Sequence, residues 1–178
     1  AAFGLAVDPD SNPLTNDGAK VIIMCHGGIG ETSASLESEL KAAVAKGAVV
    51  VVSSGNCGSG CPSLTCGSFR GVTWPGNSPS VITVGAVDDS KNVACFSSGE
   101  NVQGVGIKPD FAAPGVDVTS SVSNSGYKSL KGTSMSAPHV SGAAALLLGK
   151  NPQLQQDGVK RILEKTSLDL GDVGKDAS

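Results

Sequence analysis

Two continuous apolar runs on either side of a helix-patterned segment constrain the fold of this chain more than any other feature. Residues 19–25 and 48–52 lack the alternation of a half-exposed strand, so both are predicted to be strands buried on both faces. Between them, residues 32–46 carry apolar side chains at helical spacing, and Gly47 suits the position just after a helix. Strand, helix and strand in this order predict a right-handed βαβ unit within a parallel sheet.

The remainder of the chain continues with strands and then helices. The predicted strands are residues 80–87, 93–96, 111–113 and 116–120, and the predicted helices are residues 134–150 and 152–165. Asn151 and Pro152 predict the start of the last helix, as its N-cap and first residue. The pattern is that of an α/β fold with three layers, in which a mostly parallel sheet carries helices on both faces.

Composition limits the classes of function. The chain has 178 residues, enough for one domain or part of one, and a net charge of −3 gives no reason to expect a nucleic-acid partner. The longest apolar candidate, residues 140–148, is too short to cross a membrane. Aromatic residues make up 3% of the chain, so small aliphatic side chains must pack the core.

Five cysteines indicate an oxidising compartment. They are Cys25, Cys57, Cys61, Cys66 and Cys95, and three of them crowd a long loop over residues 57–80. A local disulfide in that loop is predicted, which favours a secreted protein. A zinc site is the less favoured alternative, because the chain has no C-x₂-C pair and no histidine near this loop. The odd count leaves at least one thiol unpaired, or paired outside this chain.

Residues 132–139 (GTSMSAPH) place Ser134 at a glycine-rich turn that opens an apolar helix. Exposed backbone N–H groups and the helix dipole at that position favour developing negative charge. A nucleophilic serine that attacks a carbonyl needs this environment. The alternative is that a hydroxyl here merely caps the helix, but Thr133 alone could do that.

Two polar segments follow the first two predicted strands, at the sheet edge where α/β proteins bind ligands. Residues 25–27 (CHG) end the first strand and residues 54–56 (SGN) end the second. The side-chain amide of Asn56 can donate a hydrogen bond to an oxyanion, although an ordinary turn residue is the alternative.

Several segments, taken in order, resemble the subtilisin-like serine proteases, or subtilases. They are residues 54–56 (SGN), 74–76 (WPG), 81–86 (VITVGA), 96–99 (FSSG), 108–115 (KPDFAAPG) and 132–139 (GTSMSAPH). The resemblance runs from about residue 18 to residue 171 and implies a subtilisin-like fold. No Asp-(Thr/Ser)-Gly or His-Gly-Thr-His motif is present. Residues 1–178 are therefore interpreted as the C-terminal part of a subtilisin-like peptidase domain, incomplete at the N-terminal side.

The resemblance implies a serine endopeptidase that forms an acyl-enzyme on Ser134 and stabilises the oxyanion with Asn56. The residues that it assigns to substrate binding are Cys25, His26, Gly27, Gly28, Ser54, Gly55 and Thr133. A protein or peptide substrate would bind as an extended strand, with backbone groups of Gly27 and Gly28 free to pair with it. The catalytic Asp and His would come from a segment outside this chain, which alone is expected to be inactive. The alternative is a catalytically inactive, peptide-binding subtilase-like module.

The two histidines of the chain are poor candidates for the base. His139 lies about 140° around the helix from Ser134, so a packing role is expected. His26 is expected to line the substrate groove, with an inert loop position or a surrogate base as alternatives. The resemblance makes the Asp110 carboxylate structural, and neither it nor Asp117 is expected to be the triad acid.

The resemblance also bears on the turn at Trp74-Pro75. In the family this turn often has a cis peptide bond, with a weak cation site nearby. It therefore implies calcium as a structural ion and no other metal.

Overall fold

The computed structural model describes residues 6–11, 18–62 and 66–170. The elements of these residues are, in chain order, β1 (Val21–Met24), α1 (Ala34–Ala45), β2 (Val49–Ser53), β3 (Ile82–Val87), β4 (Glu100–Val102), β5 (Gly106–Lys108), β6 (Phe111–Pro114), β7 (Val118–Val122), β8 (Gly126–Leu130), α2 (Thr133–Lys150) and α3 (Gln156–Thr166). None of the helices in the described part of the chain is long and apolar enough to span a membrane.

The central sheet has the order β1-β2-β3-β6, and every neighbouring pair of its strands is parallel. Helix α1 connects β1 to β2, so the predicted βαβ unit is confirmed. Ser33 caps this helix by accepting the N–H of Leu36 at 3.3 Å, and Gly47 follows it with a φ of 90°. Two antiparallel hairpins, β4–β5 and β7–β8, lie outside the sheet.

The valine run of β2 is buried on both faces because its side chains alternate between two cores. Val49 and Val51 pack with residues of β3, α2 and α3 in one core. Val50 and Val52 pack with residues of α1 in the other core. Helices therefore cover both faces of the parallel sheet, which confirms the three-layer α/β fold.

Two predicted elements differ in the structure. The strand predicted at residues 93–96 is reduced to a single bridge between Val93 and Val87. Helix α3 begins at Gln156 rather than at Pro152. Asn151 ends helix α2 instead, since its N–H donates to the carbonyl of Leu147 at 2.9 Å, and a short turn follows it.

Three short strands were not predicted from the sequence. Strands β4, β5 and β8 have only three to five residues each, and most of their side chains are at least partly exposed. An apolar pattern cannot reveal such strands, because no face of the hairpin is fully buried.

Candidate active site

The carboxyl ends of β1 and β2 meet the amino end of α2 around a cavity of about 350 Å³. The predicted site residues that line it are Cys25, His26, Gly27, Gly28, Gly55, Asn56, Thr133 and Ser134. The remaining predicted residue, Ser54, is completely buried, and Ser53 lines the cavity in its place. Segments that are more than a hundred residues apart in the sequence therefore form one site.

Ser134 is the second residue of α2 and lies half-buried at the cavity wall. Its backbone N–H belongs to the first turn, where helical N–H groups have no partner within the helix. Its Oγ donates a hydrogen bond to the backbone carbonyl of Cys25 at 3.4 Å. Gly132, just before the helix, has a φ of 148°, a backbone conformation that residues other than glycine rarely adopt.

The Asn56 carboxamide is fixed by the residue that precedes the serine. Its Oδ1 accepts the Thr133 N–H at 3.0 Å and the Thr133 hydroxyl at 3.1 Å. The Thr133 Oγ1 in turn accepts the N–H of Gly55 at 3.2 Å. Because the oxygen of the carboxamide is engaged by the helix, its Nδ2 remains the end that can donate to an oxyanion.

The turn that carries Asn56 is anchored to a segment forty residues further along the chain. The N–H of Cys57 donates to Ser98 Oγ at 2.9 Å, and the N–H of Ser98 donates to the carbonyl of Gly55 at 3.0 Å. The N–H of Gly58 donates to the carbonyl of Phe96 at 2.9 Å. The sequence did not predict a role for Ser98. The one sequence feature that points to this residue is its place in residues 96–99, a segment that carries the family resemblance.

Two disulfides hold the same region, which confirms the predicted crosslinking of the loop. Cys57 pairs with Cys66 across nine residues, and Cys61 pairs with Cys95 across thirty-four. Cys57 and Cys66 also line the cavity. Cys25 is the remaining cysteine, and its thiol is not in a disulfide.

The Cys25 thiol lies against the backbone of Ser134. Its Sγ lies 3.6 Å from the backbone carbonyl oxygen of Ser134. Burial raises the pKa of this thiol above its usual value, and the hydrogen bond with Ser134 opposes that effect only in part. A thiol rather than a thiolate therefore prevails at neutral pH, and a thiol is a poor nucleophile.

Neither histidine hydrogen-bonds to Ser134. His26 is exposed on the cavity wall, and its ring meets that of Trp74 edge-on, with ring centroids 6.3 Å apart. His139 Nδ1 lies 2.9 Å from the carbonyl oxygen of Met135, one turn back on the same helix. His139 is exposed, so the packing role expected for it is wrong.

The two glycines after His26 differ in their backbone hydrogen bonds. Gly28 exchanges both of its backbone groups with Trp74, at 3.2 and 2.9 Å, so the expectation that they are free is wrong. No such pairing engages Gly27 among the described residues. A Cβ atom on Gly27 would lie 2.0 Å from the carbonyl oxygen of Trp74, so this position has no room for a side chain.

The site brings a serine hydroxyl and a carboxamide to one cavity, and no described side chain accepts a hydrogen bond from the serine. The hydroxyl of Ser134 donates to a backbone carbonyl, which cannot take up its proton. Asp110 is buried in ion pairs with Lys108 and Lys160, away from the cavity. Among the described residues, no group of three His, Cys, Asp or Glu side chains could hold a metal ion.

A family model and known proteins match most or nearly all of the chain. A model of the subtilase family matches residues 5–178. Subtilisin DY from Bacillus licheniformis is 44% identical over 158 residues, which are 89% of this chain and 53% of the relative. Subtilisin Savinase from Lederbergia lenta is 39% identical over 139 residues, 78% of this chain and 46% of the relative.

A solved structure is similar as well. Sphericase superposes with a TM-score of 0.72 and 28% sequence identity, over 92% of this chain and 53% of its own. The chain therefore spans about half the length of the relatives that it matches.

Proposed function

The chain belongs to the subtilase family, and we propose that it is the part of a serine endopeptidase that carries the nucleophile and the oxyanion hole. One observation carries this proposal. The Asn56 carboxamide and the Ser134 hydroxyl line the same cavity, and the Thr133 N–H fixes the carboxamide at 3.0 Å. An amide held by its oxygen is a preorganised donor, which is the property that an oxyanion hole requires.

The proposed reaction starts with attack of Ser134 Oγ on the carbonyl carbon of the scissile peptide bond. The serine proton passes to a histidine outside this chain, and a tetrahedral intermediate forms. Asn56 Nδ2 and the Ser134 N–H donate to its oxyanion. The bond to the leaving nitrogen then breaks as the histidine returns the proton to that nitrogen, and water hydrolyses the acyl-enzyme.

We propose that the substrate, a protein or peptide, lies extended along the end of β1. The backbone of Gly27 and the carbonyl of Cys25 would pair with it in the manner of an added strand. The cavity of about 350 Å³ would take one side chain beside the scissile bond. Gly55 and the disulfide between Cys57 and Cys66 would form part of its wall.

The catalytic Asp and His are proposed to come from an N-terminal segment that packs against this chain. Subtilisin DY and subtilisin Savinase are each about twice as long as the region that matches, which supports such a segment. This chain alone would then be nearly inactive, because loss of the histidine alone costs about 10⁶ in kcat in subtilisin. The two disulfides support secretion, since such bonds persist in oxidising compartments.

A fluorophosphonate probe tests the proposal. Ser134 Oγ attacks the phosphorus and fluoride leaves, so labelling reports an activated serine. We expect rapid labelling of the protein that includes the N-terminal segment, and labelling near background for this chain alone. Labelling should disappear in Ser134→Ala and persist in Ser141→Ala, a matched control on the same helix whose hydroxyl bonds to the carbonyl of Ala137.

Two outcomes would contradict this function. Absence of labelling, together with retained binding of an extended peptide, would identify a peptide-binding module that has lost its chemistry. Rapid labelling of this chain alone would mean that the base lies within it.

A further inference from the structure

A buried ammonium group lies beside the turn that follows Trp74-Pro75. Lys108 is the last residue of β5, and its side chain is only 3% exposed. Its Nζ donates to the carbonyl of Val81 at 2.9 Å and to Asp110 Oδ2 at 2.7 Å. A carboxylate and a backbone carbonyl that converge on one point are ligands of the kind that calcium prefers.

The carboxylate of this cluster accepts three hydrogen bonds from described residues. Asp110 is 1% exposed, and its Oδ2 also accepts the backbone N–H of Thr83 at 2.8 Å. Its Oδ1 accepts the Nζ of Lys160, from helix α3, at 2.7 Å. Although burial acts to raise it, the pKa of Asp110 is held below its usual value by the charge of Lys108 and by these hydrogen bonds.

Two backbone carbonyl groups beside this cluster are engaged as well. Gly76 O accepts the hydroxyl of Thr83 at 2.6 Å, and Val81 O accepts the ammonium of Lys108. A calcium ion needs six to eight oxygen ligands, which side chains, backbone carbonyl groups and water molecules supply. Here the point between Val81 and Asp110 is filled by a nitrogen that already carries the positive charge.

We propose that the ammonium of Lys108 takes the place of a structural cation at this turn. The residues present do not fit the calcium ion that the family resemblance implies there. The ammonium joins the end of β5 to the start of β3 and to the start of β6, and Lys160 extends the cluster to α3. Folding of this side of the sheet therefore needs no metal at this position.

Thermal unfolding tests this proposal in the full-length protein with Ser134 replaced by alanine, so that self-digestion cannot interfere. Lys108→Met keeps the aliphatic stem and removes the charge, and Lys108→Ala also opens space for a cation. Both should lower Tm in chelator by about 5 °C or more, the scale for a broken buried pair. Lys160→Met is the matched control, because this ammonium is 31% exposed and should cost less.

Cation dependence separates the two Lys108 variants. Lys108→Ala should regain stability in calcium or potassium chloride relative to tetramethylammonium chloride at equal ionic strength, and Lys108→Met should not. If Lys108→Ala does not fold in chelator, its refolding yield in the same salts gives the same comparison. If calcium raises the Tm of the parent, it should raise the Tm of Asp110→Asn by the same amount. Calcium sites elsewhere in the protein contribute equally to the parent and to this variant.

Three results would overturn the proposal. The first is a calcium response of the parent that disappears in Asp110→Asn, since calcium would then bind at this turn. The second is a Lys108→Met variant as stable as the parent. The third is a Lys108→Ala variant that responds to no small cation. None of these readouts depends on the proposed peptidase activity.

Discussion

The carboxamide oxygen of Asn56 accepts the first N–H of helix α2, that of Thr133, at 3.0 Å. Asn56 therefore caps a helix that begins 77 residues later in the chain, where Gly132 has no side chain to do so. The side-chain oxygen thus stabilises the helix that presents Ser134, and the proposed function gives the side-chain nitrogen a second task, donation to the oxyanion.

Substitutions at Asn56 should separate these two tasks. Asn56→Ala removes both, so we expect kcat to fall and the protein to lose about 1 kcal/mol with the cap. Asn56→Asp keeps the acceptor at the positive end of the helix but removes the amide donor, so stability should be retained while kcat falls. The expected loss in kcat is about 10²–10³, which is the scale for removal of the corresponding donor in subtilisin.

Steady-state kinetics and thermal unfolding of the protein that includes the proposed N-terminal segment check this prediction. Equal activity of Asn56→Asp and the parent would show that the amide does not contact the oxyanion.

Thr133 should act on catalysis through the position of Asn56. Thr133→Val removes the hydroxyl that bonds to Asn56 Oδ1 and to the N–H of Gly55. We expect kcat to fall about tenfold while KM changes little, since an interaction in the transition state is weakened. Thr133→Ser keeps the hydroxyl and serves as the control. A KM effect in place of a kcat effect would instead give Thr133 a role in binding.

The two disulfides should differ in what they support. The chain-entropy model gives about 3 kcal/mol for the nine-residue separation of Cys57 and Cys66, and about 4 kcal/mol for the longer loop from Cys61 to Cys95. Replacing the longer crosslink with serines should therefore lower stability more. Replacing the shorter one should lower kcat/KM more, because both of its cysteines line the cavity.

Denaturant unfolding and peptide hydrolysis, measured on both double variants, check this separation. An opposite order in either quantity would contradict it.

Much of the fold followed from local pattern. The valine run of β2 was predicted because burial on both faces leaves an uninterrupted apolar run in the sequence. The helix predicted at residues 134–150 is observed at Thr133–Lys150, and the βαβ unit is observed as predicted. The start of α3 was missed, because Asn151 is as suitable for ending one helix as for beginning the next.

The candidate site, like the fold, was predicted only in part. Residues 25–27 and 54–56 were predicted to share an edge of the sheet because parallel strand ends meet there, whereas the family resemblance alone implied that Ser134 lies beside Asn56. The pairing of Gly28 with Trp74 and the support that Ser98 gives to the Asn56 turn could not be predicted. Each joins segments about forty residues apart through a hydrogen bond that leaves no periodic signal in the sequence.

Asp110 should give the protein a stability that depends on pH. The pKa of Asp110 is lowered in the folded state. In the unfolded chain its pKa is about 3.9, so the unfolded chain binds this proton at a higher pH than the folded protein does. Its contribution is therefore complete above that value and is lost as the pH falls toward the folded pKa. Asp110→Asn should be less stable at neutral pH and should lose stability less steeply below about pH 4. Denaturant titrations across that range measure both slopes, and parallel curves for the parent and Asp110→Asn would show that other carboxylates control acid unfolding.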